Sequence, residues 1–237
     1  MKAILAGYGE VGQAVFKLAS KQHIIRVVDP ALGYELDPEA GETCDVLLIA
    51  MKWSGIFSDA VNKYQVTTMP AATIIFSTVP IGTCDILGAS HFPVEGQHPN
   101  IADDLVRNEH NWLGGPTETA VRFLTECGLR YRIVPKASWT EFLKLRSLAY
   151  FGLCVEFARY GGRVANKIGM PEEFMRLYDT TYNELLVKQK RSLLQRPVLN
   201  PPIGPIGGHC VLPGIEILNE QYPEPLLVRV LERSFAL

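Results

Sequence analysis

The chain has 237 residues, 47% hydrophobic and 20% charged, with a formal net charge of −2. This is one domain with an appendage or two modest domains, apolar enough to bury a core, which excludes a disordered chain. The near-neutral balance gives no electrostatic basis for binding nucleic acid or an anionic membrane surface. No apolar run reaches the roughly 18 residues of a membrane span, and Gly7-Tyr8-Gly9-Glu10 interrupts any secretory h-region. Cys44, Cys84, Cys127, Cys154 and Cys210 are odd in number, widely spaced and without a C-x-x-C pair. Reduced thiols in a cytoplasmic protein, with no metal site, are therefore expected.

Short apolar runs alternate with helical patterns through the first half. Ala3-Ile4-Leu5-Ala6 is a buried-type strand, Val11 to Ser20 a helix and Ile24 to Val28 a second strand. Asp45 to Ala50 is a third strand, Ser58 to Tyr64 a short helix and Ala72 to Phe76 a fourth strand. Continuous apolar strands separated by helices predict a parallel sheet covered on both faces. His91 to Ile101 is a polar, proline-bearing loop; Thr117 to Cys127 reads as a helix and Leu129 to Val134 as a late strand. The expected fold is α/β, a Rossmann-type doubly wound parallel sheet over 1–136 followed by a mainly helical domain over 137–237.

Helices dominate from residue 137. Ser138-Trp139-Thr140-Glu141 fits a capping box, in which the serine caps the first turn and Glu141 reaches back. The helix it opens is apolar over much of its surface, with Phe142, Leu145, Leu148, Ala149, Phe151 and Val155, and is expected to be buried or paired with another helix. A second helix starts at Pro171, with Phe174, Tyr178, Tyr182 and Leu185 on one stripe and Lys188, Lys190 and Arg191 as its solvated basic end. Arg196 to Cys210 holds four prolines and three glycines, an ordered-loop composition, and a short helical tail follows.

Gly7-Tyr8-Gly9-Glu10-Val11-Gly12 is G-x-G-x-x-G between a strand and a helix. The first glycine permits a tight turn, the second lets backbone approach a pyrophosphate, and the third allows close helix–strand packing. The helix N-terminus adds N–H donors and a positive dipole end. Asp29 ends the next strand, 17 residues beyond Gly12. A carboxylate there accepts from a ribose 2′-hydroxyl and repels a 2′-phosphate, so the cofactor expected is NAD.

Near the other end, Gly207-Gly208-His209-Cys210 would hold a thiol in a glycine-rich loop, where backbone N–H groups favour a thiolate or an oxyanion. The other four cysteines lie in or beside apolar segments and read as structural. Together with the fingerprint, this loop resembles that of the nucleotide-sugar dehydrogenases, the family of UDP-glucose, GDP-mannose and UDP-N-acetylmannosamine dehydrogenases. Gly207 to Pro213 is similar to the family's G-G-x-C loop with a following proline. Ser77-Thr78-Val79-Pro80-Ile81-Gly82-Thr83 resembles its S-T-V-P-x-G-T, and Thr140 to Leu145 its A-E-x-x-K-L. The motifs run in family order from residue 1 to about 215, and the chain resembles a short form without the family's C-terminal UDP-binding domain.

The resemblance implies a two-step oxidation of a sugar or sugar-like primary alcohol to an acid with two NAD. Cys210 would be the nucleophile, Lys144 the cation at an oxyanion or water, Thr78 a neighbour of the nicotinamide, and Glu95 the glutamate that handles water. Two positions depart from the family pattern: Leu148 stands where asparagine is usual and Gly214 where aspartate is usual. A single-hydride β-hydroxyacid-type dehydrogenase using Lys144 is one alternative, and a catalytically inactive NAD-binding module the other. Homodimerisation through the helical half is expected.

Overall fold

The computed structural model describes residues 1–36, 41–202, 204, 206 and 210–235, the side chains of 234 and 235 excepted. The chain divides into two compact units, Met1–Lys144 and Leu145–Leu237.

The first unit is built on a seven-stranded sheet. Its strands are β1 (Lys2–Ala6), β2 (Ile24–Val28), β3 (Val46–Ile49), β4 (Ala72–Ile75), β5 (Ser90–His91), β6 (Asn111–Gly114) and β7 (Tyr131–Val134). Their order across the sheet is β2-β1-β3-β4-β5-β6-β7. All pairs are parallel except β5 with β6, which meet antiparallel at His91 and Gly114. The expected doubly wound sheet is therefore present, with one reversed junction that the sequence pattern did not indicate.

Alternate residues of the central strands feed opposite faces. Ala3, Leu5, Val46, Leu48 and Ile74 pack with Ala14, Val15 and Leu18 of α1 (Glu10–Ala19), Ile101 and Leu105 of α4 (Ile101–Arg107), and Phe123 of α5 (Glu118–Glu126). Ile4, Leu47, Ile49 and Ile75 pack on the other face with Phe57 and Val61 of α2 (Phe57–Thr68) and Cys84 of α3 (Thr83–Ile86). Two covered faces explain why these strands read as continuous apolar runs rather than alternating ones.

Residues 77–114 hold the main departures from expectation. The loop expected over 91–101 begins in β5 and ends in α4, and α3 and β6 also lie in this region. These elements are short and of mixed polarity. Asn111, at the start of β6, is fully buried because its Nδ2 donates to the carbonyls of Leu105, Asn108 and Arg130 at 2.8, 3.0 and 3.0 Å. A polar residue with local backbone partners in the sheet gives no hydrophobic periodicity to read.

The capping box is also corrected. Helix α6 spans Ala137–Lys167, so Ser138 already lies within it. Glu141 does not reach back along its own helix. Its carboxylate accepts from the N–H groups of Gly82 and Cys84 at 2.5 and 2.7 Å.

The second unit contains the rest of α6, then α7 (Glu173–Lys188), α8 (Val211–Gln221) and α9 (Pro225–Phe235). The expected short tail is thus two helices. Two glycine notches bring α6 and α8 together: a Cβ on Gly152 would stand 2.6 Å from Ile215 Cδ1, and one on Gly214 would stand 2.5 Å from Leu148 Cδ1. Ile215 and Val230 are buried here. Phe174, Tyr178 and Leu185 of α7 are exposed, as are Tyr150, Phe157 and Tyr160 of α6, so these apolar stripes are not covered within the described chain. No helix among the described residues is long and apolar enough to cross a membrane.

Candidate active site

In the strand order β2-β1-β3-β4, successive connections leave β1 and β3 in opposite directions, which opens a crevice beyond the carboxyl ends of β1 and β3. The glycine turn leaves β1 at that point. Gly7 has φ +93°, and a Cβ on it would lie 2.7 Å from the carbonyl carbon of Ala50, the residue after β3. A Cβ on Gly12 would overlap the carbonyl oxygen of Gly7, so the first turn of α1 sits directly on the strand exit. Gly9 differs: nothing lies within 4 Å of the position its Cβ would take. Gly9 is also the N-cap of α1 and supplies no side-chain cap. The turn therefore offers open backbone and a helix N-terminus, a combination suited to an anionic group.

Asp29 stands at the end of β2, half-buried, and its Oδ2 accepts from Tyr8 N–H at 2.8 Å. The carboxylate is thereby fixed against the glycine turn itself. The Tyr8 ring meets Phe16 and Tyr34 edge-on at 5.6 and 6.4 Å. Glu10, exposed in the first turn of α1, lies 3.7 Å from His98 Nδ1.

A second set of residues gathers where β4 and β5 end. Lys144, half-buried on α6, donates from Nζ to the Val94 carbonyl at 2.7 Å, directly before exposed Glu95. Thr78, half-buried, follows Ser77 in the segment that leaves β4. Three buried side chains join these segments. Glu141 holds the N–H groups of Gly82 and Cys84 at the head of α3. Burial pushes its carboxyl above the ordinary carboxylate value, against the opposing effect of those hydrogen bonds. His91 lies 2.8 Å from Thr140 Oγ1 through Nδ1 and 3.2 Å from the Ser77 carbonyl through Nε2. The Ser77 carbonyl can only accept, so the neutral imidazole carries its proton on Nε2, and the one proton of the Thr140 hydroxyl is shared between His91 Nδ1 and the Ala137 carbonyl, each 2.8 Å away. Burial lowers the His91 pKa to about 4, and the positive charge of Lys144 acts in the same direction, so the ring is neutral at pH 7.

Thr78, Glu95 and Lys144 are thus tied to one framework in the sheet-bearing unit. Cys210 belongs to the helical unit, where it is exposed at the N-cap of α8 and its carbonyl accepts from Gly214 N–H at 3.0 Å. Gly207, Gly208 and His209, the remainder of the predicted cysteine loop, lie outside the described residues. Burial pushes the thiols of Cys44 and Cys84 up and that of Cys127 to about 12, in keeping with structural cysteines. A groove of about 350 Å³ on α7, lined by Thr180, Asn183, Glu184, Val187, Lys188, Gln195 and Val198, holds none of the predicted site residues.

Sequence reasoning missed His91 and the true partners of Glu141. His91 sits between Ser90 and Phe92 at the start of the segment read as a polar loop and belongs to no motif. The Glu141 contacts span 57 and 59 residues of sequence. The available signal for Glu141 was its place in a segment resembling A-E-x-x-K-L.

No family model matches the chain, and no curated protein matches it by sequence. Similarity appears among solved structures. The chain is similar to a UDP-D-ManNAc dehydrogenase from Pyrococcus horikoshii, at 17% identity and TM-score 0.73, over 100% of this chain and 69% of that one. It is similar to a UDP-glucose dehydrogenase from Pyrobaculum islandicum, at 15% identity and TM-score 0.70, over 98% and 68%. A Mycobacterium tuberculosis 3-hydroxyisobutyrate dehydrogenase matches at 14% identity and TM-score 0.67, over 98% and 91%. The chain has the Rossmann-type fold, followed by a helical region, that these dehydrogenases share.

Proposed function

We propose that this chain is an NAD-dependent oxidoreductase acting on a CH–OH donor. We assign residues 1–136 to cofactor binding and 137–237 to substrate binding and dimerisation. The observation that carries the reading is the glycine turn. Gly7 and Gly12 are used up in packing, whereas Gly9 leaves its backbone open beside an uncapped helix N-terminus and a tethered Asp29. That division of labour is what a dinucleotide requires. Gly7, Tyr8, Gly9, Glu10, Val11 and Gly12 would hold the pyrophosphate, and Asp29 would accept from the ribose. When bound, NAD supplies the hydride acceptor.

For the substrate, we favour a sugar or sugar-like primary alcohol, following the dehydrogenases named above and the motif order. Lys144, oriented by the Val94 carbonyl, would stabilise the alkoxide as its carbon loses hydride. The Cys210 thiolate would then add to the resulting aldehyde, forming a C–S bond. Loss of a second hydride leaves a thioester, which water, handled by Glu95, cleaves to the carboxylate and the thiol. The balance is one alcohol, two NAD⁺ and one water in, and one carboxylate, two NADH and three protons out, the first of them the hydroxyl proton released as the alkoxide forms. Thr78 would border the reacting carbon.

One observation favours a second reading, a single hydride transfer with Lys144 as acid/base. Leu148 and Gly214, which replace the polar residues of the resembled family, pack against each other, and a Cβ at 214 would require the Leu148 side chain to shift.

Counting NADH per substrate consumed, over panels of UDP-sugars and β-hydroxyacids, decides between them. Two NADH per UDP-sugar, with turnover lost in Cys210→Ala and reduced roughly 10²–10⁴-fold in Lys144→Met, is the expected result. One NADH, with Cys210→Ala unaffected, establishes the second reading. NAD binding without turnover on either panel leaves the inactive module. An absence of NAD binding overturns all three.

A further inference from the structure

The loop that orients Lys144 at one end meets the glycine turn at the other. The Val94 carbonyl accepts from Lys144 Nζ at 2.7 Å, and further along the loop His98 Nδ1 lies 3.7 Å from Glu10 Oε1. Glu10 is the first residue of α1, directly after the N-cap Gly9. Helix α4 pins the stretch around His98. Gln97 N–H donates to Asp104 Oδ2 at 2.9 Å, Asn100 N–H donates to the Gln97 carbonyl at 2.7 Å, and a Cβ on Gly96 would stand 3.1 Å from Ile101 Cα. Backbone held in this way sets the imidazole beside the open N-terminus of α1.

The place is accessible and short of positive charge. The His98 and Glu10 side chains are 62% and 48% exposed, and nothing lies within 4 Å of the Cβ position on adjacent Gly9. The charged groups around the loop and the turn are mostly acidic: Glu10 on α1, Asp29 after β2, Glu95 in the loop, and Asp103 and Asp104 on α4. Lys17 of α1 is taken up by Asp103 at 3.2 Å. Among the described residues this leaves His98 as the basic group beside Glu10. At 3.7 Å that contact is an ion-pair distance, too long for a hydrogen bond, so the ring nitrogens are open to a further partner. A pyrophosphate brings two more negative charges to this acidic rim, and the helix N-terminus meets them with partial charge only.

We propose that His98 is a ligand of the cofactor's pyrophosphate. It acts as an imidazolium spanning two anions, with one ring N–H donated to Glu10 and the other to a phosphate oxygen. Neutral imidazole has a single N–H and serves only one of them. Cofactor binding is therefore linked to uptake of a proton, and affinity falls as rising pH removes that proton. The proposal rests on the NAD reading of the glycine turn and adds a side chain that the fingerprint does not contain. One loop then touches the cofactor at His98 and holds Lys144 at Val94.

The test is calorimetric titration with NADH and with ADP-ribose between about pH 6 and pH 8, in paired buffers of different ionisation enthalpy. Wild type is expected to take up protons on binding NADH and to bind it roughly tenfold more weakly at the upper pH. ADP-ribose, which keeps the pyrophosphate and lacks the nicotinamide, should share that slope. His98→Gln should bind roughly tenfold more weakly than wild type at the lower pH, with no slope and no proton uptake. His110→Gln, at an exposed histidine elsewhere on the sheet-bearing unit, keeps the wild-type behaviour. Wild-type binding that is independent of pH overturns the proposal and leaves the NAD reading standing. A slope that survives in His98→Gln overturns it too, as does a slope with NADH that is absent with ADP-ribose. No binding of NADH at either pH removes the cofactor reading itself, and the proposal with it.

Discussion

His91 shows how one buried side chain holds separated segments together at a defined ionisation state. Its ring spans the Ser77 carbonyl behind Thr78 and the hydroxyl of Thr140, one turn before Lys144 on α6. An unfolded histidine titrates near 6.5, whereas the folded ring titrates at about 4 because burial disfavours its charge. Between those pH values the unfolded chain carries a proton that the folded chain does not. The contribution to stability is therefore complete above about pH 6.5 and is lost as pH falls through 4, spanning about 3 kcal/mol. Denaturant titrations of the wild type and His91→Gln across pH 4–7 should show a shallower pH slope for the variant. Parallel slopes would remove His91 from the acid lability of the fold. The sequence could not reveal this residue, because a histidine at the start of a segment that reads as a polar loop declares neither its partners nor its charge.

At the scale of elements, the β1–turn–α1 unit was legible because its signal is local. Three glycines, a strand before them and a helix after them lie within 20 residues, and each glycine has a separate steric reason. The structure sorts those reasons by what a side chain would meet. Gly9→Ala should leave the melting temperature near wild type while NAD affinity falls roughly 10-fold or more, since the position its Cβ would take is clear of protein and borders the proposed pyrophosphate site. Gly12→Ala should lower stability by about 1–3 kcal/mol as well, because its Cβ must displace the Gly7 carbonyl. Equal melting losses for both would contradict the division. The elements missed, α3, β5, α4 and β6, are between two and seven residues long and are held by contacts such as those of Asn111 and Glu141. Their stability comes from elsewhere in the fold, so periodicity within them is uninformative.

For the whole molecule, the exposed apolar positions of α6 matter most. Leu143, Tyr150, Phe157 and Val164 are exposed and recur every seven residues, and Phe157 is 74% exposed. A seven-residue repeat on a 31-residue helix is a seam suited to a second helix, and we propose a second copy of this chain as its partner. Sedimentation at micromolar concentration should give a dimer, and Tyr150→Glu/Phe157→Glu a folded monomer. A monomeric wild type would refute the seam.

The sequence by itself determined the sheet class, the NAD-type fingerprint with Asp29, and the succession of a sheet-rich half by a helical one. All three are encoded in spacings shorter than about 30 residues. Tertiary structure decided which of those residues share a framework. It joined Lys144 to the segment before Glu95, sent Glu141 to Gly82 and Cys84 rather than to its own helix end, and set Leu148 against Gly214. It also set His98 of the loop after β5 beside Glu10 of α1. Those pairings depend on how distant elements pack, and hydrophobic pattern carries no record of which buried polar groups will meet.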